Sequence, residues 1–243
     1  MNTDTTTLPQ RVRDALETYR RDRAAFESAR DKAARLRGDL QKHTKAAEAA
    51  DAEALSARNE AAALMRDTGA SMKQIRDLKG KERAAYTLAE DYRAIIAEVQ
   101  LALEEAELEA GLAKGAESDA YSSVATAYAE GLFEALGDAL SPLHHAVHAL
   151  AHAYQRQAGP GGAPWEQRGY RSAIDAALAR AHSVIAHGVK AAAFDASCDP
   201  VLSRAERPNG LADFKVASPA TKQKKLAEFA RRAEALRTAV SNA

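Results

Sequence analysis

The stretch Val12–Leu40, VRDALETYRRDRAAFESARDKAARLRGDL, decides the fold. Val12, Tyr19, Phe26, Ala33 and Leu40 recur every seven residues, and Ala15, Ala29 and Leu36 fall three residues after members of that row. A seven-residue apolar period set among charged residues is the seam of a helix that packs along another helix. The same two rows continue through Ala47, Ala54 and Ala61, and through Ala50, Ala57 and Leu64, broken only by Asp22 and His43. The run to about Arg66 predicts a helix of roughly 80 Å at 1.5 Å per residue. Upstream, Thr7-Leu8-Pro9-Gln10 reads as its start: a capping hydroxyl, a proline in the first turn, and a glutamine three residues after the cap. The large members of the seam, Val12, Tyr19, Phe26, Leu36, Leu40 and Leu64, carry its evidence, because alanines match any period easily and each buries little area.

Gly69 can end this helix, and Ser71 with Gln74 reads as the cap of the next. A second seam follows, with Ile75, Ala89, Ile96, Leu103 and Ala110 in one row and Leu78, Ala85, Tyr92, Val99, Ala106 and Ala113 in the other. Glu82 alone interrupts it. The short link around Gly69 folds the two helices back on each other as an antiparallel hairpin. Gly115 and Glu117-Ser118-Asp119 suggest a break and restart, so the expected division is a hairpin over 1–115 and a helical region over 116–243. In the second part, Ser141-Pro142 divides a helical stretch from Glu117 to Gln157. Gly159-Pro160-Gly161-Gly162-Ala163-Pro164 marks a loop over 158–164. A helix is expected from about Trp165 to Phe194, with Ile174, Leu178, Ala181 and Ile185 as its apolar stripe. An irregular connector over 196–217 leads to a last helix opened by Ser218-Pro219, with Leu226, Phe229, Ala233 and Leu236 on one face. The fold class is therefore all-α: a long antiparallel coiled-coil hairpin plus shorter C-terminal helices, expected to form an elongated homodimer. Its dimer and coiled-coil seam is expected at Val12, Tyr19, Phe26, Leu36, Leu40, Ile75, Leu78, Tyr92, Ile96, Val99 and Leu103.

Composition agrees. Roughly a quarter of the 243 residues are alanine, the best helix former and a poor strand former. With 13 glycines, 7 prolines and 5% aromatics, an all-β protein is excluded, and a single cysteine, Cys198, excludes a disulfide scaffold and fits a reducing compartment. The polar segment Met1–Gln10 does not read as a signal peptide, and no uncharged apolar run of about 18 residues points to a membrane span. The 34 basic and 34 acidic residues cancel, which argues against a surface that coats nucleic acid. The cancellation hides segregation. The first helix is basic from Arg20 to Arg37, Glu98–Asp119 is acidic, and the last helix is basic again at Lys222, Lys224, Lys225, Arg231 and Arg232. Matching of charge between helices accounts for this pattern; a basic last helix meeting an acidic partner is the sharper alternative.

Few residues suggest chemistry. His144, His148 and His152 share a helix face at four-residue spacing, which is a workable metal spacing, yet no carboxylate stands among them as a general base. A partly buried histidine face explains them equally well. No phosphate-binding glycine loop, nucleophile elbow or DNA-reading module is present, so neither a cofactor nor an enzymatic activity is expected.

Three stretches carry a resemblance. They are the first helix with Tyr19, Arg23 and Phe26; Ile75-Arg76-Asp77-Leu78 through Tyr92-Arg93 to Glu98-Val99-Gln100; and Arg207-Pro208-Asn209, Asp213-Phe214-Lys215 and Ser218-Pro219-Ala220. Together they resemble the polarity suppression protein (Psu) family of satellite bacteriophages, in scattered form over about two-thirds of the chain. The third stretch is the most specific, because helix composition does not force it. The resemblance implies an all-α, V-shaped, coiled-coil homodimer. It also implies binding to the hexameric terminator Rho, inhibition of Rho-dependent termination, and decoration of the phage capsid. It would place the protein in the bacterial cytoplasm and in the virion, with no membrane and no direct nucleic-acid contact. Its partner contacts would map to Arg207, Asp213, Phe214, Lys215, Lys222, Lys224 and Lys225. The alternatives are a purely structural capsid protein and a metal-binding helical protein using His144, His148 and His152.

Overall fold

The computed structural model describes residues 8–67, 69, 71–159, 162–163 and 165–241, and leaves the side chains at 138 and 239–241 outside the description. The fold is all-α. Its helices are α1 (Gln10–Leu64), α2 (Met72–Ala135), α3 (Ser141–Arg156), α4 (Ala173–Ala191) and α5 (Pro219–Ser241). Short 3-10 turns lie at Asp138–Leu140, Leu202–Ala205 and Leu211–Asp213, and no strand forms among the described residues. The helix-start residue Thr7 and loop residues Pro160, Gly161 and Pro164 lie outside the described residues.

The chain forms two compact units, each assembled from separate stretches. One comprises 1–19 with 120–206, the other 20–119 with 207–243. This differs from the expected division at 115. The break expected around Gly115 is absent, and α2 runs through it unbroken. The seam explains why. Counting sevens from Ile75 leads through Ala110 to Glu117 and Val124, both fully buried, so the apolar row continues and one carboxylate within it is satisfied by a partner.

In the 20–119/207–243 unit, α1 and α2 form an antiparallel hairpin along the two seams. Phe26, Ala33, Ala47, Ala50, Ala54, Ala57 and Ala61 of α1 are buried, as are Ile75, Ala85, Ala89, Leu103, Ala106 and Ala110 of α2. Leu36, Leu40, Leu78, Tyr92, Ile96 and Val99 are half-buried. The polar interruptions are accommodated. His43 lies 6.0 Å from the Tyr92 ring, Glu82 pairs with Lys79 at 2.6 Å, and Asp22 pairs with Arg21 at 2.9 Å. Ion pairs cross the hairpin from Lys32 to Glu109, Arg37 to Glu107 and Asp51 to Arg93, rising along α1 as they fall along α2. The segregated charges are thus matched between helices. Exposed pairs of this kind contribute ~0–1 kcal/mol each and mainly fix register.

In the 1–19/120–206 unit, Val12, Leu16 and Tyr19 of α1 pack on Ala120 and Val124 of α2 and on Val201 and Ala205. Leu16 belongs to neither row of the predicted seam and is nonetheless buried, because a third layer, the 201–205 turn, covers that side of the helix. The Tyr19 hydroxyl donates to the Glu206 carbonyl at 2.7 Å, and Tyr121 meets its ring edge-on at 6.0 Å. Asp199 accepts from the backbone N–H groups of Val201 and Leu202 at 2.8 and 2.9 Å, which starts the 3-10 turn, and from the Tyr128 hydroxyl at 3.1 Å. Burial, then that hydrogen bond to a carboxylate, pushes the Tyr128 hydroxyl above its ordinary pKa. The α3 helix begins at Ser141-Pro142 as expected. The α4 helix begins at Ala173, later than the expected Trp165. Residues 165–169 form turns, Gly169 has a left-handed φ of 82°, and Ser172 is the true cap, accepting from the Asp175 N–H at 3.2 Å.

Candidate partner-binding surface

The connector that follows Glu206 is not a spacer. Pro208 and Phe214 are buried, and Phe214 stands edge-on to Phe26 at 5.9 Å over Leu103, Ala106 and Ala110. The Arg37 guanidinium lies 5.4 Å from the Phe214 ring centre, a cation–π distance. Two further contacts lay the connector onto α2: Lys114 donates to the Phe214 carbonyl at 2.8 Å, and the Ala217 N–H donates to the Gly111 carbonyl at 3.2 Å. Gly111 permits this approach, since a Cβ there would stand 2.3 Å from the Lys215 carbonyl oxygen. The turn at Asn209-Gly210 needs its glycine too, with a φ of 83°, and Arg30 donates to the Asn209 carbonyl at 2.9 Å.

Arg207 holds Glu117. Its guanidinium donates to both carboxylate oxygens, at 3.1 and 2.7 Å, and to the Ser118 hydroxyl at 2.7 Å. The planar fork matches the carboxylate and neutralises a side chain that is 0% exposed. After the connector, Ser218 caps α5 by accepting from the Thr221 N–H at 3.1 Å. Phe229 anchors the helix at 2% exposure, while its row-mate Leu226 stays exposed. Arg232 donates to both oxygens of Glu104 and holds that carboxyl below its ordinary pKa.

Between α2, the connector and α5 lies an open groove of about 570 Å³. Its lining includes Glu104 and Glu107 of α2, Asp213, Phe214 and Lys215 of the connector, and Lys225 and Phe229 of α5. Lys225 rests 5.8 Å from the Phe229 ring centre and 4.0 Å from Glu228. The sequence-predicted set therefore divides. Arg207 and Phe214 fasten the connector to the hairpin. Asp213, Lys215, Lys222, Lys224 and Lys225 are exposed around the groove and beside it on α5. Sequence reading missed Glu104, Glu107, Thr221 and Val216 as groove residues. Glu104 and Glu107 stand three apart on one helix face, which could have singled them out of the acidic run. A groove lined by two aromatic rings together with carboxylates and ammonium groups suits recognition of an amphipathic, charged segment.

His144, His148 and His152 are exposed on α3, and among the described residues no group of three or more histidine, cysteine, aspartate or glutamate side chains is placed to hold a metal ion. Cys198 is exposed, its thiol 3.3 Å from Asp195, whose carboxyl is held low by hydrogen bonds from Ser197 and the thiol. Among the described residues no helix is long and apolar enough to cross a membrane. Comparison with protein-family models, curated proteins and solved structures yields no match to this chain.

Proposed function

We propose that this chain is a non-enzymatic phage or prophage protein that acts as a homodimer, binds the Rho hexamer and inhibits Rho-dependent termination. The observation that supports the reading is the third resembling stretch, Arg207 to Ala220, which is anchored to the hairpin by Arg207 and Phe214 and leaves Asp213 and Lys215 exposed. Residues that serve only a flexible link need no aromatic anchor, buried proline or bidentate arginine. Here those anchors hold Asp213, Lys215 and the start of α5 in fixed positions beside an open groove. Fixing such groups beforehand lowers the ordering cost of binding.

The test is transcription through a Rho-dependent terminator with purified Rho and increasing amounts of this protein. Readthrough should rise with protein and should fall back by tenfold or more in apparent potency for Lys222→Glu/Lys224→Glu, whose exposed positions leave the helix intact. Unchanged termination at large molar excess overturns the reading. Co-sedimentation with capsids, without binding to Rho, would select capsid decoration in its place.

A further inference from the structure

Near the Gly69 turn the hairpin leaves its cations unpaired. Farther along, Lys32, Arg37 and Arg93 each pair across to the other helix. Between Arg58 and Arg83 the sequence holds seven cations against four carboxylates. Three of those carboxylates are engaged locally: Glu60 accepts from the Ser56 hydroxyl at 3.0 Å, Asp67 from the Gly69 N–H at 3.0 Å, and Glu82 pairs with Lys79 at 2.6 Å. Among the described residues, Arg58, Arg66, Lys73, Arg76, Lys81 and Arg83 are exposed and make no ion pair. Lys73, Arg76 and Arg83 share one face of α2 over about 15 Å. Gly80 lies on the same face, four residues after Arg76 and three before Arg83. It is exposed in mid-helix, and a Cβ there would meet nothing within 4 Å. Packing within the chain therefore gives no reason for a residue that weakens a helix relative to alanine. A bare backbone of this kind admits close approach by another molecule. We propose that the α2 face of Lys73, Arg76, Gly80 and Arg83 binds the phosphate backbone of double-stranded nucleic acid, without regard to sequence.

What the face holds, and what it lacks, select this occupant. Two of its three cations are arginines, whose planar forks match pairs of phosphate oxygens. The first turn of α2 carries no acidic residue, so the positive end of the helix adds to the field of Lys73 and Arg76. A lipid surface would need an apolar face to bury. This face runs Lys73, Arg76, Gly80, Arg83 and Thr87 at alternating spacings of three and four, with Met72 alone at its end. A protein partner would need an apolar centre within a polar rim, and the face has none. An interface that is polar and positive throughout is the kind a sugar–phosphate backbone makes. The contact is short. Asp77 borders the face four residues after Lys73, and Glu90 and Asp91 close it two turns beyond Arg83. A local stripe is compatible with zero net charge, which argues only against a surface that coats nucleic acid. The proposal goes beyond the resemblance, which implies no direct nucleic-acid contact, and it uses no residue of the groove.

The experiment titrates the full chain into labelled DNA and RNA duplexes of about 20 base pairs and unrelated sequences, and reads fluorescence anisotropy. With three cations on phosphates, affinity should fall about 40-fold between about 50 and about 200 mM salt, the slope of three released counterions. Arg76→Gln/Arg83→Gln should weaken binding by about tenfold or more at about 50 mM salt and shrink the slope to that of one counterion. Helical circular dichroism should not change, since both positions are exposed. Gly80→Gln keeps the charge, and it should raise the melting temperature while weakening binding severalfold. A glycine without a binding role would show the first effect and not the second. Arg35→Gln/Lys45→Gln makes the same charge change at exposed, unpaired positions of α1 and should leave binding intact. Binding to either duplex supports the proposal, and the tighter one tells DNA from RNA. No binding to either at about 50 mM salt, with protein up to on the order of 100 µM, overturns it. So does an equal loss in the α1 variant, or binding only to phosphatidylglycerol vesicles or to polyglutamate. No Rho is present in this assay, so its result and that of the termination test are independent.

Discussion

Two halves of one hairpin obey the same seven-residue period and are held by different means. Near the Gly69 turn the seam is Ala47, Ala50, Ala54, Ala57 and Ala61 against Ile75, Ala85 and Ala89. At Phe26 it is Phe26 and Ala33 against Leu103, Ala106 and Ala110, with Phe214 from the connector as a third layer. Alanines bring the helices close but remove little apolar surface from water, whereas a buried aromatic ring contributes several times as much per residue. Periodicity therefore specifies which faces meet, and residue size decides where the hairpin is strong.

The largest expected effect breaks the strong half. Phe26→Ala deletes a fully buried ring and its edge-on partner contact, and should cost about 3–5 kcal/mol in urea unfolding. If it costs no more than Ala54→Gly, expected at about 1 kcal/mol, the contrast between the halves is wrong. Next comes the connector's polar anchor. Arg207→Ala removes the bidentate donor from buried Glu117 and should cost about 2–3 kcal/mol, less than a fully enclosed pair because water reaches the arginine. Gly111→Ala should cost about 1–3 kcal/mol, because its methyl collides with backbone rather than with a movable side chain. Hydrogen exchange should then rise in the connector and leave the alanine half unchanged.

The smallest effect is electrostatic. Glu104 has its pKa lowered by Arg232, so the pair contributes stability above the unfolded carboxyl value of about 4.3 and loses it as pH falls through the lowered folded value. Arg232→Ala should therefore give the smallest loss of the series at pH 7, given the exposure of both groups, and that loss should vanish in acid once Glu104 is protonated in both states. A denaturation series against pH reads this directly.

The hairpin was legible because its period is long, and because Val12, Tyr19, Phe26, Ile75 and Leu103 fall where the period demands. The failures have physical causes. Gly115 and Glu117 look like a helix break only while the partner of Glu117 is unknown, and that partner, Arg207, lies 90 residues away. Leu16 is buried by a turn of the chain from beyond residue 200, which no local pattern contains. The Ser172 cap is written in the sequence, with Asp175 three residues on, while Trp165 to Gly169 carries no proline or capping box that would set it apart from the helix. Around the groove, residue types alone could not separate Arg207 and Phe214, which fasten the connector, from the exposed lysines beside them. That distinction depends on what each side chain touches.

The contact between Phe26 and Phe214 also sets an order of events during synthesis. Both long helices of the hairpin leave the ribosome well before residue 214 is joined to the chain. At ordinary elongation rates the interval between Leu103 and Phe214 is roughly 5–20 s, far longer than a helix needs to form. Through that interval Phe26 and the α2 positions beneath Phe214 lack their cover and are open to a chaperone. A ribosome stalled shortly before residue 207 would display a hairpin that has its register but lacks its lock.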